Sequence, residues 1–187
     1  MTIVDPDPLA DAPGWLPPSS ADQAVAELYA AHWRRLVRLS VLLVHDQGLA
    51  EEITQDAFVA LHDRWSRLRD PAAALAYLRQ SVVNRSRSAL RHRKVVDRHA
   101  ARERLPEPAP GADTGVDAGV RRTEVLAALQ ALPRRQREVL ALRYYLDLSE
   151  ADIAATLGIS QGAVKSHASR GSAALRSHLA PHLEDLR

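Results

Sequence analysis

Residues 148 to 176 read LSEADIAATLGISQGAVKSHASRGSAALR. In the second half, Gln161, Gly162, Lys165, Ser166, Ser169 and Arg170 share one side of a helical repeat. Val164, Ala168, Gly171 and Leu175 step by four, three and four along the other. The small members of the first set let a helix sit deep in a groove, and its polar members can bond base edges and phosphates. Ser149 suits an N-cap, with Asp152 three positions on, and Ser160 suits a second cap. Gly158 between them can take positive φ and end the first helix. This is helix-turn-helix logic, in which the second helix enters the major groove of duplex DNA. A helical hairpin with a solvated polar face is the plainer reading. The caps, the turn glycine, the small Ala154 and the basic outer face occurring together favour DNA.

A second candidate for phosphate chemistry lies upstream. Between residues 84 and 104, Arg85, Arg87, Arg91, Arg93, Lys94, Arg98, Arg102 and Arg104 face only Asp97 and Glu103, a net of six positive charges. Such density favours nucleic-acid backbones through counterion release. Catalytic chemistry finds less support. Glu51, Glu52, Asp56 and Asp63 have no partners set for acid–base work. His178 and His182 are four apart with Pro181 between them and no third ligand, and there is no phosphate-binding glycine loop. No enzyme activity, metal or cofactor is therefore expected.

These residues need helices to hold them. Val25, Leu28, Tyr29, Leu36, Val37 and Leu43 predict a helix over about 22–44, broken at HDQG. Leu49, Ile53, Ala57, Leu61 and Trp65 form the buried stripe of a second, about 49–65. A third starts with Pro71 in its first turn and carries Leu75, Leu78, Val82 and Leu90 into the basic segment. A supporting helix starts near Pro133, with Leu129, Leu132, Val139, Leu140 and Leu142 suited to a small core. The fold class expected is all-α: two small helical domains, 22–96 and 120–180, the latter a helix-turn-helix. Residues 1–21, with five prolines and Asp5, Asp7 and Asp11, read as a disordered acidic tail, and 97–119 as a flexible linker. The chain has no cysteine, which excludes disulfides and thiolate metal sites. No apolar run is long enough to span a membrane, and the N-terminus does not resemble a secretory signal, so no membrane insertion and a cytoplasmic location are expected. Net charge is only +2, and nearly all the positive charge is arginine.

Three segments together resemble the extracytoplasmic-function (ECF) branch of the sigma-70 family of bacterial RNA polymerase sigma factors. LAEEITQDAFVALHDRW resembles the family's D-A-E-D-L-x-Q-E-x-F motif. YLRQSVVNRSRSALRHR resembles W-L-x-x-I-A-x-N-x-x-x-D-x-x-R-R, and the segment from Leu132 to Arg176 resembles the promoter-reading domain. The resemblance spans about residues 24–177. It implies a subunit that binds core RNA polymerase (β′ and β subunits) and promoter DNA, and that an anti-sigma factor commonly restrains.

By the same resemblance, Glu51, Glu52, Gln55 and Asp56 would dock on core polymerase. Tyr77, Asn84, Arg85, Arg87, Arg91 and Arg93 would read and help melt the −10 element, with Asn84 near a flipped base. Gln161, Gly162, Lys165, Ser166, Ser169 and Arg170 would read the −35 element. Tyr77, Ser81, Val82, Ser88 and His92 depart from the family pattern, so base preference at the −10 element is left open. A response-regulator-type transcription factor would share the helix-turn-helix, but the helical first half lacks the βα alternation of a receiver domain.

Overall fold

The computed structural model describes residues 21–68, 70–100 and 118–184, all of them helices and short turns. Most of the expected acidic tail and the middle of the expected linker, residues 1–20 and 101–117, lie outside the described residues. Seven α-helices follow in order: α1 Ala21–Val44, α2 Gln47–Arg64, α3 Ala74–Ala100, α4 Ala118–Ala131, α5 Arg134–Leu140, α6 Glu150–Leu157 and α7 Gln161–Glu184. Short 3₁₀ turns at Trp65–Arg67 and Pro71–Ala73 join α2 to α3.

Local chemistry explains the boundaries. Asp46 is the N-cap of α2, and its carboxylate accepts a hydrogen bond from the Leu49 amide at 3.0 Å. His45, before it, sits at φ 62°, a left-handed turn that lets α2 fold back along α1. Leu36, Leu39 and Leu43 of α1 then meet Ile53, Ala57 and Leu61 of α2 and Leu78 and Val82 of α3, all buried. Ser40 and Ser86 hydroxyls, both buried, pair at 3.3 Å and tie α1 to α3. Tyr29 stacks on Trp33 with centroids 4.7 Å apart and meets the Phe58 edge at 5.1 Å, closing the end of this three-helix unit.

The C-terminal unit is the expected helix-turn-helix. Ser149 caps α6, accepting from the Asp152 amide at 3.1 Å and donating to the Asp152 carboxylate at 2.6 Å. Gly158 ends α6 at φ 65°, and Ser160 accepts from the Ala163 amide at 3.2 Å to start α7. Val164, Ala168 and Gly171 are buried on the inner face of α7. Ala154, expected inside, is half-buried, whereas Thr156 is buried.

One feature of this unit has no counterpart in the sequence periodicity. Residues Ala141–Tyr145 form a π turn, closed by the Leu146 amide on the Ala141 carbonyl at 3.3 Å. The extra residue widens the helix, and buried Leu142 and Leu146 of this segment join the same core as α1, α2 and α3. The two units are therefore packed on one another. Leu129, Leu132 and Leu140 form a smaller cluster with Leu175, and Leu42 of α1 touches both clusters.

No side chain lies within 4 Å of the position a Cβ would take on Gly158, so a substitution there tests backbone strain alone. Gly158→Ala is expected to lower unfolding free energy by about 1 kcal/mol, and Gly158→Asn by less, because asparagine tolerates the left-handed region. Urea denaturation of the two variants and the parent chain measures both.

Candidate nucleic-acid interface

Helix α7 presents Gln161, Gly162, Lys165, Ser166, Ser169 and Arg170 to solvent, all six exposed, while Val164 and Ala168 fix its inner side. Lys165 reaches Glu150 of α6 at 3.6 Å, and Glu150 also accepts from Arg143 at 3.3 Å. These are partly exposed pairs, and Lys165 itself is open to solvent, so a phosphate can replace its carboxylate partner at little expense. Arg170 donates to the Ser166 carbonyl at 3.3 Å. The face is polar, net basic and free of bulky side chains.

On α2, Glu51, Glu52, Gln55 and Asp56 are exposed, opposite buried Ile53, Ala57, Phe58 and Leu61. Glu51 accepts from Gln47 at 2.6 Å, and Asp56 pairs with Arg85 of α3 at 2.8 Å. The acidic set and the basic helix are thus neighbours, joined by one ion pair.

The −10 candidates on α3 are all engaged within the chain, Tyr77 half-buried against the core. Arg91 donates to Ser88 at 3.1 Å, and Arg93 lies 3.7 Å from Asp46. Asn84 accepts from Arg87 at 3.0 Å. Arg87 itself points across the chain to Glu138 of α5. Its Nε donates to Oε1 at 2.8 Å and its Nη2 to Oε2 at 2.9 Å, a two-pronged pair with only 2 % of the Glu138 side chain exposed. Arg135 at 3.1 Å and Arg134 at 3.7 Å complete the cation shell.

Tyr77 opens onto a cleft of about 800 Å³ between the units. Arg64, Arg67 and Arg79 line it from one side and Asp152 and Thr156 from the other. The Arg64 guanidinium sits 6.0 Å from the Tyr77 ring centroid. Burial, then Arg35, lowers the Arg79 guanidinium from its usual value, and Asp152 opposes the shift. Sequence reading missed these three arginines because they are spread over residues 64–79 and converge only when the turns between α2 and α3 fold.

Several residues of the seam between the units were also missed. Arg35 donates to the Leu146 carbonyl at 3.0 Å, and Arg137 to the Leu43 carbonyl at 3.3 Å. Glu138 carried one legible signal, a lone carboxylate between the basic RRQR and the apolar run VLAL. Among the described residues no group of three or more His, Cys, Asp or Glu side chains could hold a metal, and no helix is long and apolar enough to cross a membrane.

Residues 28–95 match the family described as Sigma-70 region 2, and residues 122–175 the family described as Sigma-70, region 4. The RNA polymerase sigma factor CarQ of Myxococcus xanthus is 33% identical over 159 residues, covering 85% of this chain and 91% of CarQ. The chain belongs to the ECF branch of the sigma-70 family. The ECF sigma factor SigE of Mycolicibacterium smegmatis is 30% identical over 171 residues, covering 88% of this chain and 66% of SigE. In fold, the chain is similar to the sigma factor RpoE of Bartonella quintana, solved in complex with the anti-sigma factor NepR. That likeness has a TM-score of 0.68 and 21% identity, and covers 83% of this chain and 96% of RpoE. It is also similar to CnrH, solved with the cytosolic domain of CnrY, with a TM-score of 0.63 and 24% identity over 86% of this chain and 95% of CnrH. The helices α1 to α3 are region 2, and α4 to α7 are region 4. The sigma factor is a promoter-recognising transcription initiation factor, and its family works with core RNA polymerase and promoter DNA.

The region 2–region 4 seam carries a proton-linked component. Burial, then Arg137, lowers the His45 imidazole from 6.5, and its Nδ1 is buried without a hydrogen-bond partner. Burial, then Arg79 and Arg35, lowers His32 in the same direction. The unfolded chain takes up protons near pH 6.5 that the folded chain refuses, so it binds more protons just below that value. Stability from these groups is therefore full above pH 6.5 and declines as pH falls beneath it. His45→Asn, which the left-handed backbone accepts, is expected to flatten that decline in melting temperature measured across this range.

Proposed function

We propose that this sigma factor reads its promoter with two separate elements: the outer face of α7 for the −35 duplex and the basic residues of α3 for the −10 strand. The observation that carries the first assignment is the joint exposure of Gln161, Gly162, Lys165, Ser166, Ser169 and Arg170 on one side of a helix whose start is capped and whose other side is buried. Asn84, Arg85, Arg87, Arg91 and Arg93 provide a base-reading amide and four guanidinium groups on consecutive turns of α3. Tyr77 with Arg64, Arg67 and Arg79 adds an aromatic face among cations, the combination that suits an unstacked base and its backbone. Glu51, Glu52, Gln55 and Asp56 form the docking face for the β′ and β subunits of core polymerase, since an exposed acidic surface beside an apolar stripe suits a steered protein interface.

The chain acts without catalysis of its own, the polymerase making the RNA, and it works in the cytoplasm where the polymerase is. An anti-sigma factor is its expected restraint, because the similar sigma factor RpoE was solved in complex with the anti-sigma factor NepR.

Footprinting on the promoter region upstream of the chain's own gene, with and without core RNA polymerase, tests the reading. Protection of two elements with strand opening only when core is present is the expected result. Strong core-independent protection of one duplex site contradicts it and favours a conventional transcription factor. Within the −35 face, Lys165→Ala is expected to weaken holoenzyme binding evenly across promoter sequences and to lower the salt slope by about one, as loss of a single phosphate contact does. A filter-binding salt titration measures that slope.

A further inference from the structure

Glu138 occupies an unusual place. It lies on region 4, yet its strongest partner is a region 2 arginine. Arg87 gives it both prongs of its guanidinium and uses a third N–H to hold Asn84. The carboxylate sits against Arg87 as a DNA phosphate would, since both present paired anionic oxygens to a planar fork.

From this geometry we infer that Glu138 is an intramolecular latch. It keeps the polymerase-free chain closed by occupying the Arg87 guanidinium, and through it Asn84, until the −10 strand competes for them. The latch rests on the assignment of Arg87 and Asn84 to that strand. Three observations support it independently of that assignment. The pair bridges residues 51 positions apart, across the boundary between the two regions. The carboxylate is almost wholly buried, so removing its region 2 partner leaves a buried polar group poorly satisfied. The seam also holds backbone-directed bonds, Arg35 to Leu146 and Arg137 to Leu43, whereas Glu138 to Arg87 joins two side chains of opposite charge across it.

The asymmetry of burial makes the latch testable. In the closed chain Glu138→Gln leaves Arg87 with a neutral partner in a poorly hydrated seam. In an open chain Arg87 meets water, and the substitution matters little there. The variant therefore disfavours the closed form selectively. The chain has no cysteine, so Ala31→Cys on α1 and Ser177→Cys on α7, both exposed, accept a fluorophore pair for resonance energy transfer between the regions.

The full-length labelled chain is expected to show high transfer efficiency, and Glu138→Gln a clear fall in it with unchanged far-UV helicity. Unchanged transfer with unchanged helicity overturns the latch. Arg87→Gln covers the case in which Glu138→Gln loses helicity. It is expected to open the chain equally, and unchanged transfer overturns the latch again. The double variant is expected to open no further than either single one, as a paired interaction requires. Larger, additive opening contradicts the pairing.

Binding of a fluorescein-labelled pool of random single-stranded deoxyoligonucleotides separates the latch from the reading beneath it. Glu138→Gln is expected to tighten that binding about tenfold by raising the competent fraction of the chain, and Arg87→Gln in the same background to abolish the gain. Opening without any gain in strand binding sinks the −10 assignment of Arg87, and with it the release of the latch by the strand, and leaves only a Glu138–Arg87 clasp between the regions.

Discussion

A carboxylate removed from water keeps its charge only inside a shell of donors, and Glu138 has found one that spans the molecule. Two of its cations, Arg134 and Arg135, come from its own helix, but the two-pronged contact comes from Arg87 of region 2. That contact links α5 to α3, and the π turn after α5 brings Leu142 and Leu146 onto the helices of region 2. The Leu146 carbonyl at the end of that turn takes the Arg35 guanidinium, and the Leu43 carbonyl at the end of α1 takes Arg137. Polar bonds thus fix the register of a seam that apolar contacts fill.

The same contacts divide the chain's surfaces into two classes. The outer face of α7 and the acidic face of α2 point to solvent in the closed arrangement, and their few ion pairs are exposed and weak. The α3 face is different, because Arg85, Arg87, Arg91 and Arg93 each have a partner within the chain. A sigma factor arranged in this way would dock and locate duplex DNA before it could grip a melted strand. The order of events in initiation would then be written into which side chains are already paired.

Much of this was legible in the sequence. The caps Ser149 and Ser160, the left-handed Gly158 and the i, i+4 stripe of α2 act locally, so residue type and spacing sufficed to place them. The helix-turn-helix and the two-unit all-α architecture followed. What was hidden depends on contacts between distant residues. Nothing near Glu138 in the chain announces Arg87, and an insertion such as the π turn at Ala141–Tyr145 shifts the helical repeat without changing composition. His45 at positive φ was hidden for a related reason, since a histidine there is fixed by the packing of α2 on α1 rather than by its own preference. The flexible link expected between the domains did not foretell their packing, because linker composition reports what the linker cannot do, and is silent about the surfaces it joins.

The central claim is that the free chain holds the Arg87 side of α3 closed against region 4 and that the two regions separate on the polymerase. The most direct measurement is the α1-to-α7 distance distribution, by paired spin labels, in the free chain and in the complex with core RNA polymerase. The account predicts a single short distance in the free chain and a long one in the complex. A short distance retained in a complex that still initiates at its promoter would contradict it.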